Sequence, residues 1–311
     1  MEKNTNSPPL IIPLGTQVVL SREIPGPKNK PICQRGAVGE VIKAPGDGRH
    51  SYRLRLVDGR EISVKRKDIT IRKLHQRDRS QLQLDVKTEE LTNFVIYRCV
   101  VGSRAYGLNH DESDVDVRGI YLPPAHLHWS LYGVPPQLEF EEREECFWEL
   151  EKFINLALKA NPNILECLYT PLFQEASPIA QELLDEREHF LSRLVFQTYN
   201  GYVMSQFKKL EQDLRTRGAI RWKHAMHLIR LLLSGITVLK DGFVPVDVGQ
   251  HRDRLLTIRY GKLPWEEIDE WRLSLHKEFD EAFAKTKLPE RPDYEWANDF
   301  LIKARRLQVK D

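Results

Sequence analysis

Two aspartates, Asp114 and Asp116, stand one residue apart in a stretch that otherwise reads as a buried strand, Asp114-Val-Asp-Val-Arg-Gly-Ile-Tyr-Leu122. Alternate residues of a strand project from one face, so the pattern offers two carboxylates side by side. Like charges so placed repel unless a cation lies between them. Hard oxygen ligands of this kind suit Mg²⁺ or Mn²⁺. Upstream, Gly102-Ser103 is separated from the first aspartate by ten residues. It follows the apolar run Phe94–Val101 and opens a short helix. A glycine there lets backbone approach a phosphate. The Ser103 hydroxyl, backbone N–H groups and the helix start would bind its oxygens.

A phosphate cradle beside twin carboxylates is the equipment for metal-assisted phosphoryl or nucleotidyl transfer. A second metal needs a third carboxylate. The acidic run Glu139–Glu149, within a third β-like segment near Gln137–Trp148, is the place to find it. Most of those glutamates read as a solvated charge run, and only one has to face the site.

The segment GSRAYGLNHDESDVDVRG resembles the signature of the DNA polymerase β-like nucleotidyltransferases. WELEKFINLALKANPNILECLY, WKHAMHLIRLL and the LPERPD stretch are similar to a branch of that superfamily associated with RNA repair. The resemblance covers roughly residues 93–311. It implies an α+β fold, with a polymerase β-like α/β core followed by a helical domain. It also implies that Gly102 and Ser103 contact a nucleoside triphosphate (NTP) substrate, and that Asp114 and Asp116 bind Mg²⁺ or Mn²⁺. Aligning the family's third acidic position places Glu144 with them. Glu145 and Glu142 stay open, because a one-residue slip turns a side chain to the other face of a strand.

The helix Lys223–Leu233 carries Lys223, His227 and Arg230 at i, i+4 and i+7, one helical face. Cations on an otherwise apolar helix call for anions, and a triphosphate or RNA phosphate would supply them. Lys208 and Lys209 extend this reading, and His224 reads equally as a core histidine. Arg104 is a further phosphate contact. Tyr106 reads either as a base platform or as simple packing. Arg118, two residues after Asp116, would order the carboxylates. Trp129, Trp148 and Trp222 read as core.

Ahead of the catalytic segment, the chain reads as a separate module. Asp58-Gly59 joins two alternating runs, Ser51–Val57 and Glu61–Arg66, as a hairpin. Closely spaced short strands predict a small barrel resembling SH3-like or KOW-like folds. The predicted organisation is a barrel over 1–76, a linker over 77–92, the catalytic core over 93–170 and a helical nucleotide- and substrate-binding domain over 171–311. Helices are predicted near 178–190, 191–216, 220–239, 264–285 and 293–308, with Asp293 capping the last.

Composition sharpens this division. The chain has 311 residues, with 47 Lys+Arg against 45 Asp+Glu, a formal net charge of +2. Residues 1–80 hold 17 basic and 8 acidic residues, whereas 81–170 hold 7 and 15. An acidic catalytic region thus follows a basic module, and RNA is the partner such a module suits. Arg53, Arg55, Lys65, Arg66 and Lys67 would form the basic face, with a merely solvated face as the equal alternative. The four cysteines, Cys33, Cys99, Cys146 and Cys167, form no metal-ligand spacing and read as buried free thiols. No apolar run approaches the roughly 18 residues of a membrane span, and the first residues lack a signal-peptide layout. A cytoplasmic enzyme without a membrane partner is the expectation.

Three functions follow from these readings. The first is NMP transfer from an NTP to an RNA 3′ end, with two metals. The second is AMP transfer to a protein hydroxyl, as in antitoxin-type relatives. The third is a nucleic-acid-binding module on a vestigial transferase scaffold.

Overall fold

The computed structural model describes residues 11–26, 31–45, 51–73, 88–110 and 113–309. The chain divides into two compact units, Met1–Asp85 and Val86–Asp311. Residues 1–10, 46–50 and most of the predicted linker lie outside the described residues.

The first unit is antiparallel β structure. Its strands are β1 (Gln17–Leu20), β2 (Ile24–Pro25), β3 (Pro31–Cys33), β4 (Val38–Lys43), β5 (Tyr52–Leu56), β6 (Glu61–Val64) and β7 (Ile69–Ile71). Alternation drives the pairing: Tyr52, Leu54 and Leu56 are buried while Arg53 and Arg55 are exposed. The five-stranded sheet runs β6-β5-β4-β1-β7, and β2 pairs with β3. Among the described residues, the outer strands β6 and β7 do not pair with each other. The closed barrel expected from the turn spacing is therefore replaced by an open sheet over one small core of Val18, Leu20, Val41, Leu54 and Ile69.

The second unit is α+β. Its sheet contains β8 (Val95–Val101), β9 (Asp116–Tyr121), β10 (Gln137–Phe140), β11 (Glu145–Glu149) and β12 (Phe173–Ala176), in the order β10-β11-β9-β8-β12. β9 lies antiparallel to β8 and parallel to β11. Cys99 and Ile120 face the helices, while Val117, Tyr121 and Phe147 enclose a smaller core with Leu91 on the other face. The expected strand over Gln137–Trp148 is a hairpin, because Glu141–Arg143 form a helical turn and Glu144 adopts left-handed backbone (φ 53°).

The helices are α1 (Thr88–Leu91), α2 (Gly102–Ala105), α3 (Ala125–His128), α4 (Leu150–Ala157), α5 (Pro162–Tyr169), α6 (Pro178–Asp185), α7 (Leu194–Arg217), α8 (Trp222–Asp241), α9 (Arg252–Arg259), α10 (Trp265–Lys285) and α11 (Tyr294–Leu307). Asp293 caps α11, accepting from the Trp296 N–H. α8 is the central helix and packs against α7, α9 and α10. From Ala225 to Leu239 it is mostly apolar and buried, broken by one polar stripe of His227, Arg230, Ser234 and Thr237. Trp148 and Trp222 pack against the core, but Trp129 is 64% exposed, contrary to the core reading. All four cysteines are free and buried. No described helix is long and apolar enough to cross a membrane.

Candidate active site

Val101, the last residue of β8, pairs with Asp116, the first of β9. That register brings the Gly102–Ser103 turn directly against the second aspartate. Gly102 has φ +70°, and a Cβ there would lie 2.3 Å from Asp116 Oδ2. The left-handed backbone favours glycine there, and a side chain would displace the Asp116 carboxylate from the space it occupies. On the carboxylate's other side, Arg118 Nη2 stands 3.4 Å from Oδ1. Arg118 Nη1 donates to the carbonyls of Val117 and Glu144, each at 2.8 Å. Asp114 precedes β9 and is exposed, so the strand starts two residues later than expected.

Both aspartates nonetheless line one cavity of about 400 Å³, together with Gly102, Ser103, Lys223, His227 and Arg259. Tyr106, Leu108 and Met226 add apolar surface. The size suits a small ligand of nucleotide class. Lys223 comes from the first turn of α8 and His227 from the next turn. His227 meets the Tyr106 ring edge-on at 6.4 Å. Burial, with the charges of Arg230, Lys223 and Arg259 nearby, pushes its pKa down to about 3. His227 is thus neutral at neutral pH, and Lys223 and Arg259 carry the positive charge of the cavity.

Arg230, the third member of the expected row, does not reach this cavity. It is buried, and its Nη1 donates to Glu166 Oε1 at 2.5 Å. The Tyr106 hydroxyl donates to the other Glu166 oxygen at 2.7 Å, and the Arg230 guanidinium lies 3.8 Å from the centre of the Tyr106 ring. Burial alone would lower the Arg230 pKa, but Glu166 and Tyr106 outweigh it and raise it, so the side chain stays charged. The anion that Arg230 requires is therefore a residue of α5. Arg104 departs from expectation in a similar way. Its Nη2 donates to the Ser113 carbonyl at 2.8 Å, closing the loop between the turn and the aspartates.

Glu144 also stands apart from the aspartate pair. Its left-handed backbone turns the hairpin, and its side chain lines a second recess of about 300 Å³ with Glu139, Glu141, Glu145 and Arg118. Glu145 pairs with Arg98 (3.0 Å) and Arg143 (3.2 Å). Among the described residues no three acidic, histidine or cysteine side chains form a metal-binding group. The aspartate pair still fits a hard divalent cation that takes one or two protein carboxylates and fills its sphere with water and phosphate oxygens.

The residue the sequence reading missed is Arg259. It sits on α9, a helix absent from the predicted set. Its Nη1 donates to the Leu108 carbonyl at 2.7 Å while the side chain lines the cavity. Arg252 of the same helix donates to the Gly107 carbonyl at 2.7 Å. The Val248 N–H donates to the Tyr106 carbonyl. The helical half thus holds the exit of the Gly102–Ser103 turn by three backbone carbonyls. The spacing Leu255, Leu256, Ile258 was the available signal for this helix.

Residues 74–303, which include this turn, both aspartates and α8, match a family model described as RNA repair pathway DNA polymerase beta family. The chain belongs to that family. Two relatives are similar to the chain over part of its length. An uncharacterized protein YcgL of Bacillus subtilis (strain 168) is 27% identical over 156 residues, 49% of this chain and 58% of the relative. An uncharacterized 38.9 kDa protein of Enterobacteria phage T4, from the nrdC-mobD intergenic region, is 23% identical over 197 residues, 58% of this chain and 56% of the relative. The chain therefore spans less than two thirds of either relative's length. Nearly all of the N-terminal sheet unit precedes the family match.

Proposed function

We propose that this chain is a divalent-metal-dependent nucleotidyltransferase that moves NMP from an NTP to the 3′ hydroxyl of RNA. The observation that carries the reading is one cavity in which Asp114, Asp116, Gly102, Ser103, Lys223 and Arg259 converge. In the proposed reaction the hydroxyl oxygen bonds to the α-phosphorus, the α–β bridging oxygen leaves with pyrophosphate, and the hydroxyl proton is released. Asp114 and Asp116 would hold Mg²⁺ or Mn²⁺, which would neutralise phosphate charge and favour the ionised hydroxyl. Ser103 and the adjoining backbone would hold a phosphate. Lys223 and Arg259 would stabilise the negative charge of the triphosphate. Arg118 would keep Asp116 aimed into the cavity.

The aspartate pair supports a single hard cation. A two-metal scheme with Glu144 as third carboxylate finds less support, because Glu144 lines the neighbouring recess. The N-terminal sheet supports an RNA clamp less than its net charge implied. Glu61 lies 3.6 Å from Arg55 and 4.0 Å from Arg53, and Glu40 pairs in register with Arg55. Arg55 is thus flanked by Glu40 and Glu61, whereas Arg53 pairs in register with Lys43 and Ser63.

The test is incubation with labelled NTPs, Mg²⁺ and RNA. Wild type should label RNA 3′ ends, and Asp116→Asn should lose about a thousandfold in rate, the equivalent of about 4 kcal/mol of transition-state stabilisation. Equal labelling by an Asp114→Ala/Asp116→Ala variant would sink the mechanism.

A further inference from the structure

Lys223 lines the candidate cavity from the first turn of α8, so the turn between α7 and α8 lies at the cavity rim. That hairpin is basic. Residues 208–223 contain Lys208, Lys209, Arg215, Arg217, Arg221 and Lys223 against Glu211 and Asp213, six cations to two carboxylates. Lys208, Lys209, Arg215, Arg221 and Lys223 are exposed. Asp213, by contrast, is buried, and its carboxylate is taken by His224 at 2.9 Å, with Arg221 at 3.9 Å. Lys208, Lys209, Arg215 and Lys223 have no ion-pair partner among the described residues.

The spacing makes a track. Lys208 and Arg215 are seven residues apart, hence on one helical face about 10 Å apart. Glu211 interrupts that face but leaves the balance positive. No aromatic side chain stands between Lys208 and Arg221, so that run is cationic without a base-stacking platform of its own. Cations without base-reading groups bind phosphate backbone irrespective of sequence.

We propose that the exposed cations of the α7–α8 hairpin carry the phosphate backbone of the acceptor RNA as its 3′ end enters the cavity. This rests on the nucleotidyltransferase reading above and adds the path of the second substrate. The N-terminal sheet presents arginines already met by Glu61. The hairpin presents cations whose nearest carboxylates are too few, and it adjoins the cavity by chain continuity. An RNA strand supplies the missing anions at the place where its end must be delivered.

The test compares Lys208→Gln/Arg215→Gln/Arg221→Gln with Arg53→Gln/Arg55→Gln in the whole 311-residue chain, using single-stranded RNA across a salt series. None of these residues lines the cavity, so Mg²⁺–NTP should raise the melting temperature of all proteins alike. The hairpin variant should bind RNA at least tenfold more weakly at 0.1 M salt, with a log–log salt slope shallower by about 2, since each lost phosphate contact removes about 0.7. The sheet variant should match wild type. Unchanged RNA affinity and slope in the hairpin variant, while wild type still labels RNA, would overturn this path alone. A reduced slope in the sheet variant only would overturn it in favour of the N-terminal unit. If wild type labels a protein and never RNA, the nucleotidyltransferase-on-RNA reading falls and the path falls with it.

Discussion

Arg230 and Lys223 lie seven residues apart on α8 and meet opposite circumstances. Arg230 is buried against Glu166 and Tyr106, whereas Lys223 is exposed at the cavity with no carboxylate partner among the described residues. The same contrast separates the two basic surfaces. Arg53 and Arg55 on the N-terminal sheet share Glu61, and the α7–α8 hairpin leaves most of its cations unmatched. A cation answered within the protein is a structural element. A cation left unanswered at a concave site is available to a ligand.

The largest effect should come from the answered cation. Arg230→Met leaves Glu166 charged and buried without its partner, and should lower stability by about 3–5 kcal/mol in chemical denaturation. Arg230→Met combined with Glu166→Leu should recover most of that loss, because the buried charge goes with its partner. If the double variant is no more stable than the single one, the pair is not the element that Arg230 serves.

Gly102→Ala should cost about 1–3 kcal/mol of stability from left-handed backbone alone. It should also displace the Asp116 carboxylate, so nucleotidyl transfer should fall more steeply than stability. A variant with wild-type rate would show that the Gly102–Asp116 contact does not matter to the chemistry.

His227 marks the boundary between the two kinds of group, since it lines the cavity yet sits among Arg230, Lys223, His224 and Arg259, against Tyr106. In the unfolded chain it takes up a proton as pH falls through about 6.5, and in the folded chain only near 3. Its contribution is therefore present above the unfolded value and is lost as pH falls from about 6.5 toward 3. Between pH 7 and pH 5 wild type should lose about 1–2 kcal/mol more stability than His227→Gln. Equal pH dependence would mean that the imidazole is protonated in the native state.

The unanswered cation should give the smallest stability effect. Lys223→Met should change stability by less than about 0.5 kcal/mol, as an exposed residue without a partner does. It should weaken Mg²⁺–NTP binding roughly tenfold, the value of about 1.4 kcal/mol for one charged contact. Loss of stability without loss of nucleotide binding would reverse the contrast with Arg230.

Much of the candidate site's grouping was legible before any coordinates. Gly102-Ser103 and Asp114/Asp116 announced themselves by residue type and spacing, and they line one cavity with Lys223 and His227 as the helical face implied. Glu144 was not placeable, because a helical turn breaks the acidic run and no local pattern signals where the second strand begins. α9 was missed because its apolar positions are few and its register is fixed by contacts with Leu108 and Gly107 far away in sequence. The expected barrel failed on closure, which depends on whether the outer strands reach each other rather than on their alternation.

By itself the sequence determined the α+β order of elements, the metal-suited aspartate pair and the glycine beside it. These rest on local rules: strand alternation, helical spacing and the steric freedom of one residue. Tertiary structure alone decided which cations are free. Coulombic pairing depends on separation in space, and Glu166 lies 64 residues from Arg230 in the chain but within hydrogen-bond distance of it in the fold.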